Sequence, residues 1–313
     1  MHVRKLVKSG HASLVTAIPK GWIQRNQLRP GDPIYIDDSG DALTIYKQTE
    51  QKTASTDCVI QVDNRNIQSI HHDIVAAYLN NCHHIIIKGT TLTSKVSKIK
   101  GWITDLVALE VVEESSDRLV AKSFLNFHDL DLKQLLHRMD NIIRSMIIDA
   151  KQGKKDVAKY VFLRDYEVNK LFHLIIKILK TAYLDKSLLS VLTISDLDVL
   201  RYWDAAMSME KIGDRVKNIA DVLPNMTKKQ REYFLVILTK IEELYVRCMK
   251  SLHKMDKTLA DAVSADRIPI MNNIRSFMEN NQSAICSQAS INAFNMTANI
   301  NDIIKVIRFL DND

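Results

Sequence analysis

The apolar positions change their period along the chain. Over residues 1 to 48 they come in short β-type runs, RKLVKSG, ASLVTAI, DPIYIDD and ALTIYK, with turn chemistry at RPGD and DSGD. PKGWIQRNQL, between the second and third runs, predicts one short helix with Pro19 at a tolerated early position. Four short strands and a helix in so few residues bury little surface, so this unit is expected to need a partner chain. Over residues 55 to 126 strand-like CVIQV and HHIIIKG alternate with helix-like IQSIHHDIVAAYLNN and LTSKVSKIKGWITDLV. ALEVVEES and DRLVAKSFL then read as a strand pair around a Ser-Ser-Asp turn, and the order β-α-β-α-β-β implies a small α/β sandwich.

From residue 128 onward the spacing becomes helical. Val161, Phe162, Val168, Leu171, Phe172, Ile175, Ile176 and Leu179 form one apolar stripe, and Met209, Ile212, Val216, Ile219, Ala220 and Leu223 another. PNMT at 224 to 227 interrupts the pattern, and Pro269 is expected to kink or break a later helix. The expectation is a pair of similar bundles in tandem, 128–223 and 227–310. Glycine usage agrees: four of eight lie in the first 40 residues, and only Gly153 and Gly213 follow residue 101.

Composition narrows the class. A chain of 313 residues with 46% hydrophobic content has enough apolar material for several cores. Cys58, Cys82, Cys248 and Cys286 are far apart and form no CxxC pair, which speaks against a structural zinc site and a disulfide framework. MHVRKLVKSG has charges where a signal peptide would be apolar, and no apolar run approaches the ~20 residues of a membrane span. A cytoplasmic protein with no membrane insertion is expected. The net charge is +6, and residues 1 to 31 hold Arg4, Lys5, Lys8, Lys20, Arg25 and Arg29 with no acid before Asp32. A one-sign segment of this kind suits nucleic acid or an anionic surface; the alternative is a solvated face.

The densest chemistry lies in MSMEKIGDRVKNIADVL, residues 207 to 223. This helix carries Gly213 in its interior, at a cost of about 1 kcal/mol against alanine, and stacks Glu210 and Asp214 at i and i+4. Asn218 continues that face, which is expected to point away from the apolar stripe. One helix earlier, LRDYEVNKL places Asp165 and Asn169 four apart. Oxygen groups converging between two neighbouring helices suit a hard cation such as magnesium, manganese or iron, with Gly213 letting the neighbouring backbone come close. Spacing alone favours solvated acids over a metal site.

MEKIGDRVKNIA resembles the ERIGDxxxNIA signature of the PhoU family of phosphate-uptake regulators, and LRDYEVNKL resembles that family's E/D-x-x-x-D helix. The resemblance implies tandem three-helix bundles and a metal ion, iron, manganese, magnesium or zinc, held by Asp165, Asn169, Glu210 and Asp214, with Asn169 standing where an acid is usual. In the second half SADRIPIMNNI keeps Asp266 but has Ile270 at an acid position, and INAFNMTANIND offers Asn295 and Asn299, so that bundle is expected to bind no metal. RKLVKSGHASLVTAIPKGWIQRNQLRPGDPIYI resembles the AbrB/SpoVT family of swapped-hairpin DNA-binding domains. That implies a homodimer interleaving strands into one β-barrel, with Arg4, Lys5, Lys8, His11 and Arg25 contacting double-stranded DNA. IVAAYLNN and LVALEVVEES extend the likeness to the archaeal-type PhoU regulators.

These resemblances imply a multidomain α+β protein: an N-terminal swapped-hairpin barrel at 1–48, a small α/β domain at 55–126 and an all-α PhoU-like domain at 128–313. The implied function is a DNA-binding regulator of phosphate homeostasis that senses phosphate status through metal, ligand or partner. The alternative is an adaptor contacting a phosphate transporter's ATPase or a sensor kinase. An enzyme is not expected: no GxGxxG, P-loop, GxSxG or HExxH occurs, and the Glu-x-x-His motifs of di-iron bundles are missing. His71, His72, His83, His84 and Cys82 crowd one region, but adjacent histidines on a helix point to different sides. Trp22, Trp102 and Trp203 are expected in cores or interfaces.

Overall fold

The computed structural model describes residues 3–10, 13–38, 43–47 and 57–309. The chain falls into two compact units that divide between Ser55 and Thr56.

In the first unit β1 (Val7–Ser9) pairs antiparallel with β2 (Ser13–Val15), α1 spans Lys20–Arg25, and β3 (Ile34–Asp38) pairs antiparallel with β4 (Leu43–Lys47). The single chain does not show the expected two-chain barrel: its described strands make two separate two-stranded sheets. The physical reason is that each hairpin satisfies only its own short ladder, and closure needs strands from elsewhere. No residue of α1 is buried, and Leu6, Val7, Leu14, Ile36 and Leu43 are exposed.

The second unit begins with β5 (Cys58–Gln61), α2 (Ile67–Leu79), β6 (His84–Lys88), α3 (Leu92–Thr104), β7 (Leu109–Glu114) and β8 (Arg118–Ser123). This is the element order that the period changes imply. The four strands form one sheet in the order β5-β6-β8-β7, parallel between β5 and β6 and antiparallel elsewhere. Ile60, Ile85, Ile87, Leu119 and Ala121 pack with Ile70, Ile74 and Ile99 of the helices. Gly89 is needed at the end of β6: its φ is +147°, and a Cβ there would lie 2.7 Å from Val62 Cγ2. Beside it the Asp63 carboxylate accepts hydrogen bonds from the Thr90 and Thr91 amides at 2.9 and 2.8 Å, which hold its pKa down to about 2.

One expectation is overturned in this layer. Cys58 and Cys82 form a disulfide across 24 residues. Sequence spacing hid the pair because parallel pairing of β5 with β6, in the register Cys58↔Ile85, brings the start of β5 beside Cys82, two residues before β6. Cys248 and Cys286 are free and buried.

The helical part has α4 (Leu132–Ala150), α5 (Lys155–Leu184), short α6 (Ser187–Leu192) and α7 (Asp196–Val222), then α8 (Lys228–Lys254), α9 (Lys257–Asn280) and α10 (Ala284–Phe309). The boundaries follow local chemistry. Ser195 with Asp198 and Thr227 with Gln230 form capping boxes that start α7 and α8, and Asp131 and Asp256 cap α4 and α9. Pro269 does not break α9, which runs through it. One continuous apolar core joins α4, α5 and α7 to α8, α9 and α10. Of the tryptophans, Trp102 and Trp203 are half-buried against the two cores. No helix among the described residues is long and apolar enough to cross a membrane.

Candidate functional site

The acid motif lies between α5 and α7. Its face does not point to solvent as the wheel implied: Asp165 is 5% exposed, and Glu210 and Asp214 are half-buried. The helical wheel placed these groups correctly on α7 but could not show that α5 covers them. Gly213 is buried there. A Cβ on it would lie 3.4 Å from Val168 Cγ1 and 4.0 Å from Asp165 Oδ1. The glycine therefore makes room for side chains of α5, not for its backbone, and the space admits about one methyl group.

A residue outside the expected ligand set sits at the centre. Lys217 Nζ donates to Asp165 Oδ2 at 2.7 Å and to Asp214 Oδ1 at 2.6 Å. Burial works against the Lys217 ammonium, but these two hydrogen bonds prevail and hold its pKa above the ordinary lysine value. Burial raises the Asp165 carboxyl despite Lys217. Glu210 is raised by burial first, then by the charges of Asp214 and Asp165. Asn169 Nδ2 is 3.5 Å from Asp165 Oδ2, too long for a good hydrogen bond. The ligand atoms of Asp165, Glu210 and Asp214 are not gathered within 4.8 Å of one another. As arranged, the set is matched to an ammonium, and a multivalent ion would have to displace Lys217. The signal for that lysine was present in the sequence: Asp214 and Lys217 are three apart, a spacing at which opposite charges meet on a helix.

The second bundle differs. Asp266, on α9, pairs with Arg247 of α8 at 2.6 Å, with both side chains more than a third exposed. Ile270 is buried where an acid was sought, and Asn299 Nδ2 has no hydrogen-bond partner among the described residues. Lys240, Glu243, Arg247, Asp266, Pro269 and Asn273 line a cleft of about 270 Å³ there.

Among the basic residues of the first unit, Arg4, Lys5 and Lys8 are exposed along the approach to β1 and on it, and Arg25 is exposed in the last turn of α1. His11 lies outside the described residues. In the α/β layer His83 and His84 contact each other at 3.4 Å, His84 faces Asp57 at 2.9 Å, and His71 packs on Trp102. Cys82 is taken by its disulfide, and these histidines do not gather into a metal-sized cluster.

Sequence reasoning also missed Lys177. It is fully buried where α5 meets the α/β layer, donates to Ser123 Oγ at 2.9 Å and stands 4.1 Å from the centre of the Tyr78 ring. Burial lowers its pKa to about 8.

No curated protein matches the chain. Two solved structures do: PhoU from Pseudomonas aeruginosa, with TM-score 0.45 and 13% identity over 57% of this chain and 94% of that one, and the phosphate transport system regulatory protein PhoU from Streptococcus pneumoniae, with TM-score 0.41 and 14% identity over 59% and 90%. The PhoU domain family matches residues 136–223, the stretch from α4 to the end of α7 that contains Asp165, Asn169, Glu210, Gly213, Asp214 and Lys217.

Proposed function

We propose that the protein is a PhoU-type regulator of phosphate transport that acts by contact with another protein, an adaptor for a phosphate transporter's ATPase subunit, and not an enzyme. The observation that carries this reading is the PhoU domain match over residues 136–223 with the acid motif at its centre. A contact function is supported by the outer face of α5, where Tyr160, Leu163 and Tyr166 recur every three residues at 60%, 65% and 56% exposure. Asp165, the α5 member of the acid–lysine set, lies between Leu163 and Tyr166 on the buried side of the same turns, so any ion that displaced Lys217 would alter the packing of α5 on α7 beside that face. A divalent ion belongs to this reading only as an exchange partner of Lys217.

The test is deletion of the gene in its own organism, followed by measurement of labelled phosphate uptake in phosphate-replete cells. Uptake is expected to rise, and the full chain supplied from a plasmid restores control whereas a Leu163→Asp variant does not. Unchanged uptake in the deletion strain sinks the reading.

A second reading rests on a separate observation. The first unit exposes apolar strand residues and, among the described residues, all its lysines and arginines, which suits a unit completed by a second copy and laid on DNA. Roughly three phosphate contacts per chain in a dimer give a log K against log salt slope of about −5. A mobility-shift assay with the full chain checks this. The absence of a retarded band at low salt removes the reading and leaves the adaptor function standing.

A further inference from the structure

His137 and Asp140 lie three residues apart on α4, and His253 lies in the last turn of α8. His137 Nδ1 is 3.5 Å from His253 Nε2, and His253 Nε2 is 3.7 Å from Asp140 Oδ2. All three ligand atoms lie within 4.8 Å of one another, the one such set of His, Cys, Asp or Glu among the described residues. We infer that His137, Asp140 and His253 form a binding site for one divalent transition-metal ion of zinc type, which clamps the first helical bundle to the second.

Distances decide between this and a plain polar contact. A hydrogen bond involving a ring nitrogen runs to about 2.7–3.2 Å, so 3.5 and 3.7 Å leave these groups poorly satisfied by each other. Ligands bonded at about 2.0–2.1 Å in a tetrahedron stand roughly 3.4 Å apart, close to the 3.5 and 3.7 Å that separate His253 from its two partners. Asp140 is fully buried and held in place by Arg144, which donates to its two oxygens at 2.8 and 2.7 Å. Each carboxylate oxygen has two lone pairs, so Oδ2 can accept from Arg144 and still face an ion, while Arg144 and the buried Tyr245 hydroxyl beside the carboxylate fix the orientation of the group. Both imidazoles are exposed, which gives the ion an entry path. The C-terminal end of α8 adds its negative partial charge beside the site.

The donor set selects the ion. Two imidazoles and one carboxylate suit zinc, cobalt, nickel or ferrous iron better than magnesium or calcium, which prefer all-oxygen surroundings. Three protein ligands leave a fourth position for water. The acid motif of α5 and α7 contributes nothing to this site.

The test uses the full chain stripped with a chelator and titrated with Co2+, read by visible absorption and by stoichiometry. One Co2+ per chain with the intense bands of tetrahedral coordination is expected, reversed by Zn2+. His137→Ala and His253→Ala, at exposed positions, should keep the parent's helical circular dichroism yet each weaken Co2+ binding at least roughly tenfold. Glu210→Ala and Asp214→Ala should leave it unchanged. The inference is overturned if the parent gives no saturable binding, if both histidine variants bind like the parent, or if binding is lost only in the Glu210 and Asp214 variants.

Discussion

The two helical bundles share a plan and differ in what they bury. Among the described residues the first bundle takes four charged groups out of water: Asp140 on α4, Asp165 and Lys177 on α5, and Arg201 on α7. The second buries only neutral polar groups, Ser251 on α8 and Ser290, Asn292 and Thr297 on α10. A buried charge is costly unless paired, so it persists only where geometry supplies a partner. Arg144 serves Asp140, and Lys217 serves Asp165 together with Asp214. Ser123 and the Tyr78 ring receive Lys177. In the second bundle the corresponding charges, Arg247 and Asp266, stay at the surface. Helix packing alone therefore does not require buried charge in this fold. The first bundle has specialised, and it is the one that carries the acid motif.

The sharpest way to break this contrast is to remove the cation from each bundle in turn. Lys217→Ala leaves Asp165 buried beside two further carboxylates and is expected to cost about 3 kcal/mol or more in urea unfolding. Arg247→Ala breaks a solvent-exposed pair and is expected to cost under about 1 kcal/mol. Adding Mn2+ should restore more of the lost stability in Lys217→Ala than in Arg247→Ala, in which any gain comes from sites the two variants share. Equal costs for the two variants would erase the distinction between the bundles.

The next effect concerns Lys177, which has no buried counterpart in the second bundle. Its ammonium titrates at about 8 when folded, against an ordinary value of 10.5. Below pH 8 it is charged in both states and its burial destabilises the fold. Between pH 8 and 10.5 the unfolded chain holds a proton that the folded chain has released, so this group's contribution rises with pH. Lys177→Met should therefore be the more stable chain at pH 7. The gain is on the order of 3 kcal/mol at most, less what the Ser123 and Tyr78 contacts contribute. That advantage should shrink as pH rises from 8 to 10, and thermal unfolding of the two chains side by side reads it. A gap independent of pH would show that Lys177 does not titrate this way.

The smallest effect tests the close approach of α5 to α7. Gly213→Ala gains helix propensity of about 1 kcal/mol, and its methyl meets Val168 at ordinary contact distance, so a net stabilisation of under 1 kcal/mol is expected. Gly213→Val overfills the same space and should cost about 1–3 kcal/mol. No glycine follows residue 213, so the second bundle has no matching position. If valine were tolerated as well as alanine, the packing argument for the glycine would fail.

Much of the architecture was open to reading because it is written locally. The shift from period-two runs to helical stripes located the strands of the α/β layer and the long helices, and the capping boxes at Ser195 and Thr227, local signals of the same kind, went unread. The acid motif was equally visible, since Glu210, Gly213 and Asp214 lie within one stretch of α7. What α5 does to that motif was not visible: Lys217 reaches Asp165 across 52 residues.

The sequence by itself determined which elements form, which faces are apolar, where the carboxylates cluster and that the front is basic, because each depends on neighbours within a few residues. Only the tertiary structure decided that Lys217 closes the acid set, that Cys58 meets Cys82, that Lys177 is buried beneath Ser123 and Tyr78, and that His253 comes to His137 across 116 residues. Such meetings depend on how separate elements pack, and packing distances are not encoded in the period or composition of any single segment.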